Sequence, residues 1–435
     1  MGKLPREFPF CVRQKAAHKI PFPLPSSTRC LPPKVNLMRI AVLAILLICV
    51  SSSLARAQFV HPGIAHSRES ITFVQQQIEA GKQPWTTAWE GLKKSRHASL
   101  KWRAQPMTHV ERGPYNNPNI GSSEFSDDAR AAYYHALCWA ISGQEAHAVK
   151  AAEIINGWSQ TLESIGNHDA RLLVGMSGYH FCIGAELLKH TWDKWPKGDQ
   201  VQFEAMIRTI WYPVIKDFYP TANGNWDASM MQSMSAMGVF LDDKEMFEKA
   251  TNYYLNGPGN GAIGHYFMPS GQCQESGRDQ AHTQMGLEFL ANTCETAWIQ
   301  NVDLYGALDN RLLHGFEYTA KYNLGFDVPY EPYKSFEGRY HYKKLSNDSR
   351  GRLRPMYERI FNHYHNRHGL EAPYTQQAAL KLRLKQPSQR GHETQQKDER
   401  VLRGRDRRRR RNRSRTSYLD TLMYAGRPSS PSKDS

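Results

Sequence analysis

The sequence predicts an all-α fold built from helices that pack in antiparallel pairs. Between residues 67 and 380, apolar side chains recur at helical spacing, and short turns rich in Gly, Pro and Asn separate the helical stretches. Strand-like alternation of polar and apolar residues is scarce. These observations favour one large layered array of helical hairpins. The sequence shows no clean short repeat of the kind that marks a tetratricopeptide-type solenoid.

The clearest helical pair lies near the start of this region. An apolar stripe that includes Ala129, Ala132 and Ala136 predicts a helix from Asp127 to about Gly143. A second helix at 145–158 should return against the first. Further helices are predicted, in chain order, at residues 71–80, 84–97, 172–190, 199–211, 227–240, 244–255, 282–299, 302–322 and 352–365.

Residues 38–57 have the order of a secretory signal peptide. A charged start at 38–39 precedes an unbroken apolar run at 40–50, and residues 55–57 read Ala-Arg-Ala before a polar residue. The run is shorter than the roughly 20 apolar residues that a membrane-spanning helix needs. We therefore expect cleavage after Ala57, a secreted or periplasmic protein, and no membrane attachment once the signal is removed.

These features divide the chain into four parts. We interpret residues 1–37 as a gene-model extension ahead of a true start at Met38, and residues 38–57 as the signal peptide. The helical domain should occupy residues 58–385. Residues 386–435 form a basic tail that we expect to be disordered, because most of it lacks the apolar side chains that a core requires. Within this tail, residues 421–426 have the character of an ordered final segment.

The positive charge of the chain lies at its two ends. The formal net charge is +15, yet residues 57–380 contain 30 basic and 34 acidic side chains. The body of the protein is therefore close to neutral, and the composition does not favour a nucleic-acid partner.

Four cysteines follow the predicted signal peptide. Cys138, Cys182 and Cys294 lie in apolar helical settings, which predicts buried free thiols, whereas Cys273 lies in a polar segment and could pair. Their spacing matches no metal signature, and we expect neither a metal nor another cofactor.

The segment at residues 271–286 is the most informative part of the sequence. Its sixteen residues hold Glu275, Arg278, Asp279 and His282 among six amides and hydroxyls, and none of it has the apolar character of a core. If the helix begins at Ser276, Arg278 and His282 share one face and Glu275 precedes Arg278 by three residues. A cation, an imidazole and a carboxylate should then converge on one patch.

Three stretches carry a resemblance to a known family. The run at 127–158, the Asn-Gly-Asn-Trp turn at 223–226 before a small-residue helix, and the ESGRDQAH motif at 275–282 resemble the alginate-lyase-like family of secreted polysaccharide lyases. The resemblance spans residues 67–380. It implies an (α/α) toroid, an incomplete barrel of helical hairpins with a cleft at its wide end, and β-elimination of an acidic, uronate-containing polysaccharide.

Elimination makes three chemical demands on such a site. The uronate carboxylate must be neutralised, a base must take the adjacent proton, and an acid must protonate the departing oxygen. We assign Asn225 and Arg278 to the first task, and His282 and Tyr266 to proton transfer. Four further residues are expected to bind substrate: Glu275, Gln280, Trp226 and His265.

The sequence also departs from the family pattern. Asn225 matches the family's Asn, but Trp226 stands where the family has His. By spacing, His282 falls near the family's Tyr and Glu275 near its Arg, with Arg278 one turn further on. These departures suggest a divergent branch in which His282 or Tyr266 is the base, and they leave the polymer open.

Two alternatives remain at this point. An inverting glycoside hydrolase on a helical toroid would need two carboxylates about 6.5–9.5 Å apart, which Asp127 or Asp128 could form with Glu275. A polysaccharide-binding protein would keep the cleft without the chemistry. Elimination, hydrolysis and binding differ in their products, since only elimination leaves an unsaturated uronate that absorbs ultraviolet light.

Overall fold

Helical hairpins make up the architecture of the protein, as seen in a computed structural model that describes residues 59–384 and 418–426. The first helices are α1 (Arg68–Glu79), α2 (Trp85–Lys93), α3 (Ser122–Ser142), α4 (Glu145–Thr161), α5 (Ala170–Leu173) and α6 (Tyr179–Thr191). The middle helices are α7 (Lys197–Met206), α8 (Tyr212–Ile215), α9 (Asn225–Phe240), α10 (Lys244–Asn256) and α11 (Ile263–Tyr266). The last are α12 (Gln280–Ile299), α13 (Ala307–Leu324), α14 (Tyr357–Phe361), α15 (Pro373–Leu384) and α16 (418–424).

Most of the predicted helices are present, and the all-α class is confirmed. The helix expected to begin at Asp127 begins at Ser122 instead, because the Asn119 side chain accepts hydrogen bonds from the hydroxyl of Ser122 and the backbone N–H of Ser123 and so caps an earlier turn. Helix α15 lies beyond the last predicted helix.

Helix α9 is the central helix of the described region. Every residue from Asn225 to Phe240 except Trp226 is buried, so the helix has no solvent-exposed face. It packs against α10, α12 and α6, and against a π-helical turn at Val174–Gly178 that joins α5 to α6. The side chains of Gln232 and Ser233 donate to two carbonyls of that turn, which satisfies polar groups at a close helix contact.

The β-structure is minor and forms two small sheets. Strand β1 (His109–Arg112) pairs antiparallel with β2 (Asn119–Ile120) and parallel with β3 (Ser164–Gly166). Strands β4 (Tyr333–Lys334) and β5 (His341–Tyr342) form a hairpin in which Tyr333 lies opposite Tyr342. In the described part of the chain, no helix has the length and apolarity needed to cross a bilayer.

The four cysteines of the domain are all buried and free. The prediction for Cys138, Cys182 and Cys294 is confirmed, and Cys273, which could have paired, has no disulfide partner among the described residues.

The prediction that residues 386–435 form a disordered tail is wrong for its last part. Residues 418–424 are helical and contribute buried apolar side chains, including those of Leu422 and Met423, to the main core. The Tyr424 hydroxyl donates to the carbonyl of Ala65, and the Asp420 carboxylate accepts from the backbone N–H of Glu358. The sequence predicted order at residues 421–426, and the packing partners of these side chains show that the segment belongs to the domain. Residues 1–58, 385–417 and 427–435, which include the predicted signal peptide, lie outside the described residues.

Helix α16 should be needed for stability, whereas the sequence of residues 386–417 should not. A variant that ends at residue 385 loses several buried side chains, each of which contributes about 1.5–3 kcal/mol to folding. A matched variant that replaces 386–417 with a Gly/Ser linker of the same length keeps α16. Thermal unfolding should show a large fall in midpoint for the first variant and little change for the second; equal midpoints in both would contradict this packing.

The buried Asp420 predicts a pH dependence of stability. Burial raises the pKa of Asp420 to about 7, against about 3.9 in an unfolded chain, so its carboxyl stays protonated in the folded protein over that interval. Its contribution is present below about pH 4 and is lost as the pH rises to about 7. Asp420→Asn should reduce this loss by on the order of 1 kcal/mol per pH unit in denaturant unfolding.

The control for this measurement is Asp327→Asn, because the Asp327 side chain is fully exposed. That variant should follow the wild-type pH dependence. An Asp420→Asn protein whose stability falls with pH as steeply as that of the wild type would show that the Asp420 carboxyl does not hold its proton.

Candidate active site

The polar segment that leads into α12 is buried, contrary to its expected character. Residues 271–276 are all buried although four of them have polar side chains. The amide of Gln272 binds both the N–H and the carbonyl of Glu331, and the amide of Gln274 binds the N–H of Gly224 and the side chain of Asn223. Internal hydrogen bonds therefore replace water for these side chains, which allows a polar sequence to lie in the interior.

The carboxylate of Glu275 is the centre of this buried network. Its side chain is 0% exposed and accepts three hydrogen bonds: from the Arg278 guanidinium at 2.7 Å, the Tyr266 hydroxyl at 2.9 Å and the backbone N–H of Asn225 at 3.0 Å. A buried carboxylate is tolerated when a cation and additional donors satisfy it. Glu275 thereby joins the first residue of α9 to α11 and to the turn before α12.

Helix α12 begins between the two starts that the sequence offered, Ser276 and His282. Asp279 is its N-cap and accepts from the backbone N–H of His282 at 2.7 Å, so the helix starts at Gln280. The expectation that Arg278 and His282 share one helical face is therefore wrong, because Arg278 lies in the preceding turn. Its guanidinium is instead placed by Glu275, and 26% of its side chain is exposed.

His282 and Asp279 form a hydrogen-bonded pair at the start of α12. The Nδ1 of His282 lies 2.6 Å from Oδ2 of Asp279, and the imidazole is 36% exposed. Burial favours the neutral form of Asp279, but the hydrogen bonds from the side chain and backbone of His282 outweigh it, and the pKa of Asp279 lies below its ordinary value. The ionised carboxylate therefore holds the ring proton on Nδ1 and leaves the Nε2 lone pair free.

Tyr266 lies too deep to act on a substrate in this arrangement. Its side chain is fully buried, and its hydroxyl donates to Glu275. The α12 backbone packs directly on it, since a Cβ at Gly286 would lie 1.8 Å from the Tyr266 hydroxyl. Burial raises the pKa of Tyr266 well above its ordinary value, and Cys273 and Glu275 add to this effect. The assignment of Tyr266 to proton transfer is therefore corrected to a positioning role.

The remaining predicted residues divide between interior and surface. Gln280 is buried and donates to the carbonyls of Ser276 and Ser346. It therefore joins the turn before α12 to the segment at Ser346 and does not face a cleft. Glu275 is likewise buried, and its predicted role in binding substrate directly does not fit. Asn225 is 1% exposed, and its side-chain oxygen has no hydrogen-bond partner. His265 is exposed, and its carbonyl accepts from the Tyr333 hydroxyl.

Trp226 belongs to an aromatic and basic surface around this network. Its ring packs edge-on against His168 and Tyr219, each at 5.4 Å. The guanidinium groups of Arg171 and Arg339 lie over the Tyr219 ring at 5.3 and 5.8 Å. We call these five side chains the aromatic-basic surface. Sugar rings stack on such aromatic faces, and the two cations suit an anionic chain.

Tyr342 on strand β5 joins this surface to the buried network. Its hydroxyl donates to Asn223 at 3.1 Å, and a Cβ at Gly277 would lie 2.4 Å from the Tyr342 Cβ. Burial raises the pKa of Tyr342 to about 12, with the Arg278 charge acting in the opposite direction. Tyr342 is partly exposed, which Tyr266 is not.

A cavity of about 370 Å³ lies beside this site, enclosed by α3, α6, α9, α12 and α16. Ala281 and Met285, the neighbours of His282 on α12, contribute to its wall. The cavity is lined by several cations, among them Arg130 and Arg352. Its wall also includes His180, whose pKa is lowered to about 3 by burial, with the Arg130 charge acting in the same direction.

Sequence reasoning missed the site residues that lie far apart in the chain. Asp279 stood inside the polar segment, but its pairing with His282 depends on the helix start. Tyr219, His168 and Arg171 belong to no sequence motif. They lie in the loop after α8, in the turn before α5 and on α5 itself, and the fold gathers them around Trp226. Tyr342 lay in a stretch whose basic and aromatic composition was the available signal.

The carboxylates that a hydrolase would need are already occupied. Asp128 accepts from the indole N–H groups of Trp102 and Trp158 and from a backbone N–H, and it is 1% exposed. Asp127 pairs with Arg96 and His97. With Glu275 buried as well, none of the three is free to act as an acid or a base toward a sugar.

Among the described residues, one group of side chains has the composition and proximity to hold a metal ion: His61, Glu186 and His190. It lies outside the site described above and shares no residue with it.

Comparisons with known proteins agree with the fold. The family model described as alginate lyase matches residues 79–327, which is more than half of the chain. Alginate lyase A1-III from Sphingomonas species A1 superposes with a TM-score of 0.53 at 11% identity, covering 72% of this chain and 91% of that one. A variant of alginate lyase A1-III complexed with tetrasaccharide gives 0.54 at 12% identity, covering 71% and 91%. No curated protein sequence matches.

These neighbours have the (α/α) toroid fold that the sequence predicted, and the mostly helical structure confirms that fold class. The buried motif that positions Arg278 and His282 lies inside the matched region. The chain therefore belongs to the alginate-lyase family and is a polysaccharide lyase.

Proposed function

We propose that this lyase cleaves a uronate-containing, acidic polysaccharide by β-elimination at the surface formed by Arg278, His282, Tyr342 and the aromatic-basic surface. The observation that carries the proposal is the pair of His282 and Asp279, which leaves a free imidazole lone pair beside a guanidinium held by a buried carboxylate. The tetrasaccharide complex of the related lyase is consistent with a saccharide ligand.

His282 serves as the base. Asp279 keeps the proton on Nδ1, so the neutral ring presents Nε2 as an acceptor toward the cleft. In elimination the base removes the proton next to the uronate carboxylate, and the electron pair forms the new double bond as the glycosidic oxygen departs. The hydrogen bond to Asp279 orients the His282 ring before substrate binds, so the ring is already close to a reactive geometry when substrate arrives.

Arg278 neutralises the uronate carboxylate. Its Nη1 donates to Glu275, and the remaining N–H groups of the guanidinium can form charge-assisted bonds to a substrate carboxylate. Charge that develops on the carboxylate during proton removal is then stabilised by a cation fixed in place. Asn225, which was assigned to the same task, is 1% exposed, so its side chain does not reach a substrate carboxylate in this arrangement.

Tyr342 is the tyrosine best placed to protonate the departing oxygen. Its partial exposure and its contact with the turn that carries Arg278 set it apart from the buried Tyr266. A phenol whose pKa is raised to about 12 stays protonated at working pH and can donate to an alkoxide-like oxygen.

The neighbouring cavity extends the binding surface along the polymer. Within the described residues, the Arg352 guanidinium has no hydrogen-bond or ion-pair partner, and it lines the cavity together with Arg130. Arg130 is paired with Asp127 at 3.6 Å, whereas the unpaired Arg352 cation in this concave wall can attract an anionic chain and hold one of its carboxylates. The signal-peptide pattern at residues 38–57 supports export, and we propose that the enzyme meets its substrate outside the cytoplasm.

The first test is a panel of uronate polymers, including alginate and glucuronan, followed by ultraviolet absorbance and by reducing ends. Elimination should raise both signals together. Reducing ends without absorbance would contradict elimination, and binding without either signal would reduce the chain to a polysaccharide-binding protein.

Removing the base with His282→Gln should lower turnover by on the order of 10²-fold or more without changing the helical circular dichroism.

Substitution separates His282 from the second histidine near the cavity. Burial lowers the pKa of His180 to about 3. His180 lines the cavity and is not the proposed base, so we expect His180→Gln to keep most of the turnover that His282→Gln loses. Asp279→Asn keeps an N-cap but removes the charge that orients His282, and it should lower turnover; the exposed His314→Gln is the matched control.

The two tyrosines should respond differently to loss of the hydroxyl. Tyr342→Phe removes the proposed acid and should lower turnover by about 10²-fold while stability stays near wild type. Tyr266→Phe removes a buried donor from Glu275 and should lower stability by about 1–3 kcal/mol with a smaller loss of turnover. Denaturant unfolding and steady-state rates measure both quantities. An inactive but fully stable Tyr266→Phe would restore Tyr266 as the acid.

A further inference from the structure

A second cluster of chemically active side chains lies where the described chain begins. His61 Nδ1 lies 2.7 Å from Oε1 of Glu186, and His190 Nε2 lies 3.6 Å from Oε2 of the same carboxylate. One donor atom from each of the three residues falls within 4.8 Å of the others. In a tetrahedral zinc site, donor atoms at ordinary bond lengths are separated by about 3.3 Å. The two measured contacts, 2.7 and 3.6 Å, lie on either side of that separation.

Two atoms of the cluster are buried and have no hydrogen-bond partner in the part of the chain that the structure describes. They are Oε2 of Glu186, whose side chain is 1% exposed, and Nε2 of His190. A buried carboxylate oxygen and a buried imidazole nitrogen without partners cost free energy unless something binds both. Both atoms are of the types that ligate transition metals.

The surroundings of His61 and Glu186 resemble the outer shell of a metal site. Nε2 of His61 lies 3.0 Å from Oδ1 of Asp242, so a proton on Nε2 leaves Nδ1 free for an ion. Metal-bound histidines commonly donate their second N–H to a carboxylate in this way. The backbone N–H of Gly63 donates to Oε1 of Glu186 and fixes that carboxylate as well.

We propose that His61, Glu186 and His190 bind one Zn²⁺ ion, with water as the fourth ligand and Asp242 orienting His61. Two imidazoles and one carboxylate suit zinc, whereas Ca²⁺ and Mg²⁺ prefer sites made entirely of oxygen. The ion replaces the proton that His61 and Glu186 share, and that proton is released to solvent. The rings of His61 and His190 stack at 4.2 Å, so binding turns the His190 ring out of the stack.

The ion would join the first described residues to α6. Val60 already exchanges hydrogen bonds with Gln300, and the Phe59 ring packs edge-on against Phe247 at 5.3 Å. A zinc ion bound by His61, Glu186 and His190 would connect this segment more strongly to α6. The earlier turns of α6 line the cavity. The role is structural, because none of these residues belongs to the proposed lyase site.

The test uses the full chain without a histidine tag, stripped by a chelator and titrated with ZnCl₂ in a calorimeter. One zinc per chain should bind, and at a free zinc concentration one hundred times Kd the unfolding constant should fall about 100-fold. Asp242→Asn should weaken zinc binding by about 10- to 100-fold and leave the fold unchanged. Co²⁺ in place of zinc should give the intense visible absorption of a tetrahedral site.

His190→Ala is the deciding variant, since within the described residues its Nε2 makes no hydrogen bond that the substitution would remove. It should fold and bind no zinc, while the exposed His314→Ala on α13 should bind as the wild type does. Zinc that still binds to His190→Ala, the absence of stoichiometric binding to the wild type, or Ca²⁺ binding as tight as zinc would each overturn the proposal. Lyase activity should survive zinc removal at low temperature, so a failure of the proposed lyase reaction would leave this test intact.

Discussion

The buried carboxylate of Glu275 is the constraint from which the active-site geometry follows. A charge with no exposed surface is stable only when its partners are in place, and losing one partner of such a pair costs about 3–5 kcal/mol. Its three donors come from the start of α9, from α11 and from the turn before α12. One carboxylate therefore sets the positions of Asn225 and Arg278 together.

This arrangement separates residues that hold the site from residues that face the cleft. Tyr266, Gln280 and Glu275 are interior and satisfy one another or the backbone, whereas Arg278 and His282 are partly exposed. The interior set supplies rigidity at the cost of any direct contact with substrate. A cleft residue can then change its chemistry while the frame persists, which fits the presence of Trp226 where the family has a histidine.

The electrostatics of the protein are local. The body of the chain carries slightly more acids than bases, yet Arg171, Arg339 and Arg278 gather around one surface and Arg130 and Arg352 line the cavity beside it. A concave, positive region on a nearly neutral protein draws an anionic polymer toward the site without binding polyanions everywhere. Helix α16 completes one wall of that cavity, so the end of the chain contributes to the same surface.

The sequence by itself determined the class of the fold, the family and the segment that matters. Helical periodicity depends on local spacing, and the 275–282 motif is contiguous, so both can be read without coordinates. Only the tertiary structure decided which polar residues are interior. Burial of Glu275, Gln280 and Tyr266 depends on hydrogen-bond partners up to 66 residues away, and the start of α12 depends on the Asp279 cap. The same holds for Tyr342, Tyr219 and α16, because a packing partner distant in the chain leaves no periodic signal in the sequence around it.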